Sequence, residues 1–182
     1  MRSTHLKRKT KETDISVTLN LDGTGLSTVC IEDQFLKHML ETFSKYSSFD
    51  LNITATGDNM HHLIEDVAIT LGDAFKSALG ETPVERVSFF ILPMDDALVM
   101  ASVDLVDRPW CDVDCPDDLY LHFFRSFAMS SGMTLHIMVY RGFDDHHIIE
   151  ASFKALGKAL KSAVVVRKDI LSTKNKVIME SD

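Results

Sequence analysis

The sequence predicts an α+β protein made of two duplicated β-β-α-β-α halves with pseudo-two-fold symmetry, whose helices are layered between two mixed β-sheets. Three observations support this fold class: a gapless internal repeat, strand-like alternation before each copy of the repeat, and helical periodicity within each copy. Halves of this kind bury their apolar faces against a shared core. We therefore expect a single domain over residues 1–182, divided into halves of about 1–82 and 83–182.

The internal repeat is the strongest of these signals. The segment "HHLIEDVAITLGDAFKSAL", from His61, and the segment "HHIIEASFKALGKALKSAV", from His146, align without gaps at an offset of 85 and share 10 of 19 residues. The same offset pairs Gly57 with Gly142, one before each predicted helix. Similarity of this extent over a fixed offset indicates a duplicated unit.

The remaining elements are predicted from local sequence patterns. Alternating apolar residues predict strands in "TDISVTLNLDG", "DLNITAT", "ALVMASVDLVDR" and "TLHIMVY", with an extra strand, "VERVSFFIL", near the boundary between the halves. Amphipathic helices are predicted in "DQFLKHMLETFSKY" and "PDDLYLHFFRSFAMS", each opened by an acidic capping residue. We interpret the basic "KRKTK" near the N-terminus as a solvated tail, and the polar "RKDILSTKNK" after Arg167 as an extended tail.

Composition excludes several functional classes. A formal charge of −8 over 182 residues argues against a general nucleic-acid binder, although a few local cations suffice for an anionic small molecule. No apolar run approaches the roughly 18 residues of a membrane span, and the N-terminal segment lacks the apolar stretch of a secretory signal. We expect a cytoplasmic protein without membrane contact. Cys30, Cys111 and Cys115 are interpreted as free thiols, because three cysteines do not form a disulfide framework.

The paired histidines lie off the buried face of their helices. At about 100° per residue, one apolar stripe of the first repeat helix is formed by Ile64, Val67, Ala68, Leu71, Phe75 and Ala78. His61, His62 and Glu65 lie about 100° or more from that stripe, and the second helix repeats the pattern with His146, His147, Glu150 and Lys154. The two histidines of a pair are splayed by about 100°, so each pair is expected to serve two different ions.

Two further histidines complete the pattern. His38 lies 23 residues before His61, and His122 lies 24 before His146, each within the preceding helix. A single histidine pair on a helix flank is more simply a solvated face, but the duplication with matched third histidines favours metal binding. The resulting sites, of three imidazoles and one carboxylate, suit Mn²⁺, Fe²⁺ or Zn²⁺, and the lack of thiolates mildly favours Mn²⁺.

Several stretches together resemble the imidazoleglycerol-phosphate dehydratase family over nearly the whole chain. They are "TKETDISVTLNLDGTG", "FLKHML", "FDLNITATGD", "HHLIEDVAITLG", "PMDDAL", "DLVDRP", "GMTLHI", "HHIIEASFKA" and "STK". The resemblance implies a hollow shell of 24 subunits built from trimers, with two Mn²⁺ ions per active site held by ligands from neighbouring subunits. The metal ligands it implies are His38, His61, His62, Glu65, His122, His146, His147 and Glu150.

The resemblance also implies a reaction. It is the dehydration of D-erythro-imidazole-glycerol phosphate to imidazole-acetol phosphate in histidine biosynthesis, with the metal acting as a Lewis acid. Glu12 matches the family's acid/base carboxylate, and Glu65 and Glu150 are further candidates for proton transfer. The residues implied to bind the substrate phosphate are Arg86, Arg108, Lys154, Ser172 and Lys174.

The chain departs from the family pattern at a few positions. Thr42 replaces the usual Gln, Tyr46 replaces a downstream His, and the loop "GDNM" before His61 is short. These departures keep an alternative open: a catalytically reduced relative that serves as a metal-binding structural oligomer. An RNA-binding module on a similar framework is disfavoured by the negative charge and by the histidine pattern.

Overall fold

The computed structural model describes residues 1–169 and 171, and within them the two halves have the same order of elements. The first half comprises β1 (Ser3–Lys9), β2 (Thr13–Asn20), β3 (Ser27–Cys30), α1 (Gln34–Ser47), β4 (Asp50–Gly57) and α2 (Met60–Leu79). The second half comprises β5 (Val87–Met94), β6 (Ala97–Asp104), β7 (Trp110–Val113), α3 (Asp118–Ser131), β8 (Thr134–Arg141) and α4 (Asp145–Ala163). The expected boundary between residues 82 and 83 falls in the connection from α2 to β5.

Each half forms one mixed sheet of four strands. The strand orders are β1-β2-β4-β3 and β5-β6-β8-β7. In both sheets the first three strands in this order pair antiparallel, and the short outer strand, β3 or β7, runs parallel to its neighbour. The predicted fold class of duplicated halves with mixed sheets is therefore confirmed.

The helices form two layers between the sheets. Helices α1 and α2 cover the first sheet, α3 and α4 cover the second, and the layers meet where α1 packs on α4 and α2 packs on α3. The predicted stripes of both repeat helices are buried in this interface, with Val67, Ala68, Phe153 and Leu156 fully inaccessible to solvent. A single hydrophobic core thus spans both halves, as the amphipathic pattern predicts.

Two glycines of the repeat allow the helices to approach closely. A Cβ on Gly72 of α2 would lie 2.8 Å from the carbonyl oxygen of Phe127 in α3, and a Cβ on Gly157 of α4 would lie 3.0 Å from the amide nitrogen of Ser47 in α1. Both distances are shorter than an ordinary carbon contact. The glycines are 85 residues apart, so the duplication carries the same close crossing into both helix pairs.

All four helices begin at the same end of the molecule. Strands β3 and β4 are parallel and lead directly into α1 and α2, as β7 and β8 lead into α3 and α4. The packed helices also run in the same direction, because His38 meets Glu150 near their N-termini while Ser47 meets Gly157 further along. The helix N-termini, which carry the histidines, are therefore brought together by topology.

The structure corrects the interpretation of the N-terminal segment. The basic residues Lys7, Arg8 and Lys9 belong to β1, which pairs along its whole length with β2 and is not a tail. The prediction failed because β1 is an edge strand with no fully buried residue, and charged residues are typical of such edges. Each half also has three strands before its first helix, whereas the predicted β-β-α-β-α pattern has two. The short strands β3 and β7 were not predicted.

The cysteine prediction is confirmed: Cys30, Cys111 and Cys115 are all free. Within the described part of the chain, no helix is both long enough and apolar enough to cross a membrane.

Candidate metal centre

One cluster of possible metal ligands joins the two halves. Nε2 of His38, on α1, lies 3.4 Å from Oε1 of Glu150, and Nε2 of His146 lies 3.2 Å from Oε2 of the same carboxylate. One ligand atom from each of the three residues lies within 4.8 Å of the others. We name His38, His146 and Glu150 the first cluster.

Glu150 is the most buried residue of the first cluster, with 6% of its surface exposed. Its Oε1 forms an ion pair with Nζ of Lys154, which lies 2.9 Å away and one turn further along α4. Burial opposes ionisation of this carboxyl, but the hydrogen bond and charge of Lys154 and the nearby His38 outweigh it and lower the pKa of Glu150. The carboxylate is therefore held in the ionised form that a cation requires.

The pseudo-equivalent residues form the second cluster: His61, Glu65 and His122. Nε2 of His61 lies 3.8 Å from Oε2 of Glu65, and the rings of His61 and His122 have centroids 5.1 Å apart. This cluster is more open than the first, since 42% of the Glu65 side chain is exposed. The close packing of α2 on α3 brings His61 and Glu65 of α2 near His122 of α3.

The second histidine of the first pair, His62, faces a different group. Its Nδ1 lies 2.8 Å from Oδ1 of Asp58 and 3.7 Å from Oε2 of Glu12, which lies in the turn between β1 and β2. Asn59, the N-cap of α2, also contacts this nitrogen at 2.8 Å. The hydrogen bond to the carboxylate of Asp58 raises the pKa of His62.

His147 has a matching environment in the second half. Its Nδ1 lies 2.5 Å from Oδ1 of Asp96, in the turn between β5 and β6, and its Nε2 lies 3.6 Å from Oδ2 of Asp95. The hydrogen bond to Asp96 raises the pKa of His147. The same hydrogen bond, supported by the backbone amides of Phe143 and Asp144, lowers the pKa of Asp96.

These carboxylates orient the imidazoles in a way that suits metal binding. A metal-bound histidine commonly donates its other ring N–H to a carboxylate, which fixes the tautomer and leaves the second nitrogen for the ion. With Nδ1 held by Asp58 or Asp96, His62 and His147 each keep Nε2 as the nitrogen for an ion, and in His147 this nitrogen lies 3.6 Å from Oδ2 of Asp95. Sequence reasoning missed both aspartates, because they lie in loops outside the repeat, where Phe143 stands at the position that corresponds to Asp58.

The candidate phosphate-binding residues are divided between two ends of the molecule. Lys154 lies at the histidine end, where Nζ also contacts Sδ of Met94, the last residue of β5. Arg86 precedes the opposite end of β5 and pairs with Asp104, at 2.6 Å from Nε. Arg108 follows β6, and its carbonyl accepts a hydrogen bond from Thr134 at the start of β8. Ser172 and Lys174 lie outside the described residues.

The family is decided by comparison with known proteins. The imidazoleglycerol-phosphate dehydratase profile matches residues 32–160, a span that includes both histidine pairs. The chain belongs to the imidazoleglycerol-phosphate dehydratase family. An imidazoleglycerol-phosphate dehydratase of Dehalococcoides mccartyi is 40% identical over 99% of this chain and 98% of its own length. Another, from Caldanaerobacter subterraneus subsp. tengcongensis, is 46% identical over 90% and 92% respectively.

Solved structures of imidazoleglycerol-phosphate dehydratases share the fold. The crystal structure of the Pyrococcus furiosus protein in complex with (S)-C348 is 39% identical, covers 94% of this chain and all of its own, and superposes with a TM-score of 0.85. The Staphylococcus aureus structure is 29% identical, covers 91% of this chain and 99% of its own, and gives a TM-score of 0.82. This family member is accordingly an enzyme of the hydro-lyase class.

Proposed function

We propose that the chain dehydrates D-erythro-imidazole-glycerol phosphate to imidazole-acetol phosphate in histidine biosynthesis, using two Mn²⁺ ions per active site. The observation that carries this proposal is the pair of His–Glu clusters, one between α1 and α4 and one between α2 and α3. The cytoplasmic location stays a prediction from the sequence.

The donors fit such an ion. Each cluster offers two imidazoles and one carboxylate and no thiolate, and nitrogen and oxygen donors of this kind suit Mn²⁺, Fe²⁺ or Zn²⁺. The ligands we propose are His38, His61, His62, Glu65, His122, His146, His147 and Glu150. The bound ion would supply Lewis-acid stabilisation of negative charge that develops on the substrate.

The ligands of one chain do not complete two sites. Sites of three imidazoles and one carboxylate would each lack one imidazole in the described chain, while His62 and His147 face carboxylates elsewhere. Each cluster needs one more imidazole, and His62 and His147 are the two remaining histidines of the proposed ligand set. Each cluster could therefore receive its third imidazole from His62 or His147 of another subunit. We therefore propose that the metal sites are shared between copies of the chain.

The arginines lead to the same proposal independently. His147 and Lys154 lie beside the end of β5 that contains Met94, whereas Arg86 lies beside Val87 at the other end. At about 3.4 Å per residue, these ends are about 24 Å apart. The short glycerol chain between an imidazole ring and a phosphate cannot span that distance. Arg86 and Arg108 of one copy would therefore bind the phosphate of a substrate whose ring is held by another copy.

The second sheet offers a surface for such assembly. Its outer face has a group of exposed apolar side chains, namely Val87, Phe89, Ile91, Trp110, Met138 and Tyr140, beside the polar Asp112 and His136. The corresponding face of the first sheet has polar exposed residues, among them Asp14, Thr18 and Asn52. Apolar patches of this kind are typical of protein interfaces. They support a homo-oligomer, which we propose is the shell of 24 subunits built from trimers that the resemblance implies.

Glu12 is the residue we propose for proton transfer to and from the substrate carbons. The elimination removes a hydrogen from one carbon and a hydroxyl from its neighbour beside the ring, and the resulting enol becomes the ketone. Glu12 is exposed in a hairpin turn and lies 3.7 Å from Nδ1 of His62, so its carboxylate reaches the surface where the ring would be held. Lys154, one turn from Glu150, would contribute charge at the same end.

Subunit mixing tests the proposal. Glu150→Gln chains lack a metal ligand and Arg108→Ala chains lack a phosphate contact, so each alone should turn over imidazole-glycerol phosphate poorly with Mn²⁺. Co-assembled from denaturant, the two chains should regain activity, because some shared sites would contain neither substitution. A His5→Ala chain, altered at an exposed histidine outside the clusters, is the control for assembly. No recovery in a properly assembled mixture would refute shared sites.

Turnover and metal content test the remaining parts. Wild-type chain loaded with Mn²⁺ should form imidazole-acetol phosphate, and lowering the pH through about 6.5 should release the ion, because ligating imidazoles must be deprotonated. A metal-loaded oligomer that forms no product would instead support the alternative of a catalytically reduced, structural relative. Thr42, a buried residue of α1, and Tyr46, whose ring centroid lies 5.5 Å from Nζ of Lys154, motivate that alternative.

A further inference from the structure

We infer that Asp66 is a positioning residue that holds the carboxylate of Glu12 beside His62, by tying the hairpin of β1 and β2 to α2. This inference rests on the role proposed for Glu12. Asp66 directly follows Glu65 on α2 and faces the sheet rather than the metal clusters, with 9% of its surface exposed.

Asp66 binds both strands of the hairpin. Its Oδ1 accepts a hydrogen bond of 3.0 Å from Nε of Arg8, near the end of β1. Its Oδ2 accepts one of 2.5 Å from the hydroxyl of Thr13, the first residue of β2. The two contacts lie on either side of the turn that contains Glu12. One buried carboxylate therefore joins both strands at the base of the turn to α2.

The turn itself is internally rigid. The Thr10 hydroxyl accepts hydrogen bonds from the backbone amides of Glu12 and Thr13, at 3.1 and 3.0 Å. The carbonyl of Glu12 accepts one from the amide of Asp58, just before α2. Because the turn holds its own shape, displacement of its base would move Glu12 as a unit. His62 lies one helical turn before Asp66, so the two sides of the Glu12 contact are anchored to the same helix.

The duplication separates this role from a purely structural one. The position equivalent to Asp66 in the second half is Ala151, which is fully buried. The second half packs its corresponding hairpin on α4 without a carboxylate there. The fold therefore does not require a carboxylate at this position of the helix, and the second hairpin is joined to α4 instead through its turn, where Asp96 contacts His147. An apolar residue commonly replaces a buried ionic contact without loss of stability, so retention of the charge calls for another reason.

Steady-state kinetics of Asp66→Asn in the Mn²⁺-loaded oligomer tests the inference. We expect kcat to fall on the order of 10- to 100-fold, with KM changed less than about threefold, because a displacement near 1 Å of a group that acts on the reacting atoms has that effect. Thr13→Val, which removes one of the two contacts, should show a smaller fall in kcat. Thr13→Ser keeps the hydroxyl and should retain nearly normal kcat.

The double variant with Glu12→Gln distinguishes positioning from general damage. If Asp66 acts through Glu12, Asp66→Asn should lower kcat little further once Glu12 is Gln. Multiplying effects in the double variant, or a KM effect as large as the kcat effect, would overturn the inference. The melting temperature of each oligomer shows whether the variants fold.

A crystal structure of the Asp66→Asn variant gives a readout that does not depend on turnover. The distance from Oε2 of Glu12 to Nδ1 of His62 is 3.7 Å in the wild-type chain and should be longer in the variant. An unchanged distance would overturn the positioning role even if the variant were inactive. Absence of turnover in the wild-type oligomer would instead refute the proposed function, while leaving this structural comparison valid.

Discussion

The substitution Gly72→Ala tests how closely the metal clusters depend on helix packing. The added Cβ would lie 2.8 Å from the carbonyl oxygen of Phe127 and from Cβ of Ser130, whereas ordinary contact begins at 3.4 Å. Restoring ordinary contact between α2 and α3 would take a shift of 0.6 Å, the difference between these two distances. These two helices carry His61 and His122 of the second cluster.

The expected effect on stability is small and the effect on metal binding is larger. Overpacking of a core costs about 1–3 kcal/mol, and replacing a helical Gly with Ala returns about 1 kcal/mol. The net loss of unfolding free energy is therefore about 0–2 kcal/mol. Metal ligands tolerate displacements of only about 0.5 Å, so the Mn²⁺ affinity of the second cluster should fall on the order of 10-fold.

Two assays and two matched variants decide the matter. Mn²⁺ titration followed by electron paramagnetic resonance measures the affinity of each class of site, and urea unfolding measures stability. Asp73→Ala, at the next and exposed position of α2, gains helix propensity without a clash and should bind Mn²⁺ normally. Gly157→Ala, with a shortest contact of 3.0 Å, should weaken the first cluster less. A Gly72→Ala chain with wild-type affinity at both sites would refute the reasoning.

Other properties follow from individual environments. Phe153→Ala, in a cluster of rings at the centre of the core, should lower the free energy of unfolding by about 3–5 kcal/mol in urea titrations. Burial raises the pKa of Cys111 and Cys115 to about 11, so at pH 8 both should react with a thiol reagent far more slowly than in urea, and more slowly than the exposed Cys30. Hydrogen bonds from the backbone amides of Thr24 and Leu26, with further ones from the Asn20 side chain and the Gly25 amide, outweigh burial and lower the pKa of Asp50. Its contribution to stability is therefore present above about pH 3.9 and is lost as the pH falls through the pKa of the folded state. Asp50→Asn should therefore be less stable than wild type by about 1–2 kcal/mol at pH 7. In acid unfolding curves, this difference between the two proteins should shrink towards zero in strong acid.

The repeat made much of the candidate site predictable from sequence. A fixed offset relates residues by position in a duplicated fold, so the matched spacing of His38 and His122 indicated that both belong with the paired histidines. Helical periodicity then predicted that the two members of a pair face apart, and the structure places His61 and His62 against different partners. Periodicity could not predict which helices pack together, because that depends on contacts between the halves.

Features without a periodic signal were missed. Asp58 and Asp96 reach their histidines from turns whose conformation depends on the whole fold. The contrast between Glu65 and Glu150 was also hidden, since the repeat aligns them. Glu150 is buried and paired with Lys154, whereas the residue one turn after Glu65 is Ile69, which offers no charge. A single substitution within the repeat thus gives two matched carboxylates different surroundings.

The pairing of α1 with α4 and of α2 with α3 has a consequence for the origin of the duplication. Each cluster takes one histidine from one half and a His–Glu pair from the other, so a chain that contained only one half would form neither cluster alone. Two separate copies of a half, packed as the halves are here, would restore the ligands of both clusters. Fusion of two copies into one chain would then have converted a bimolecular association into a permanent one, after which the halves were free to diverge at positions such as Lys154.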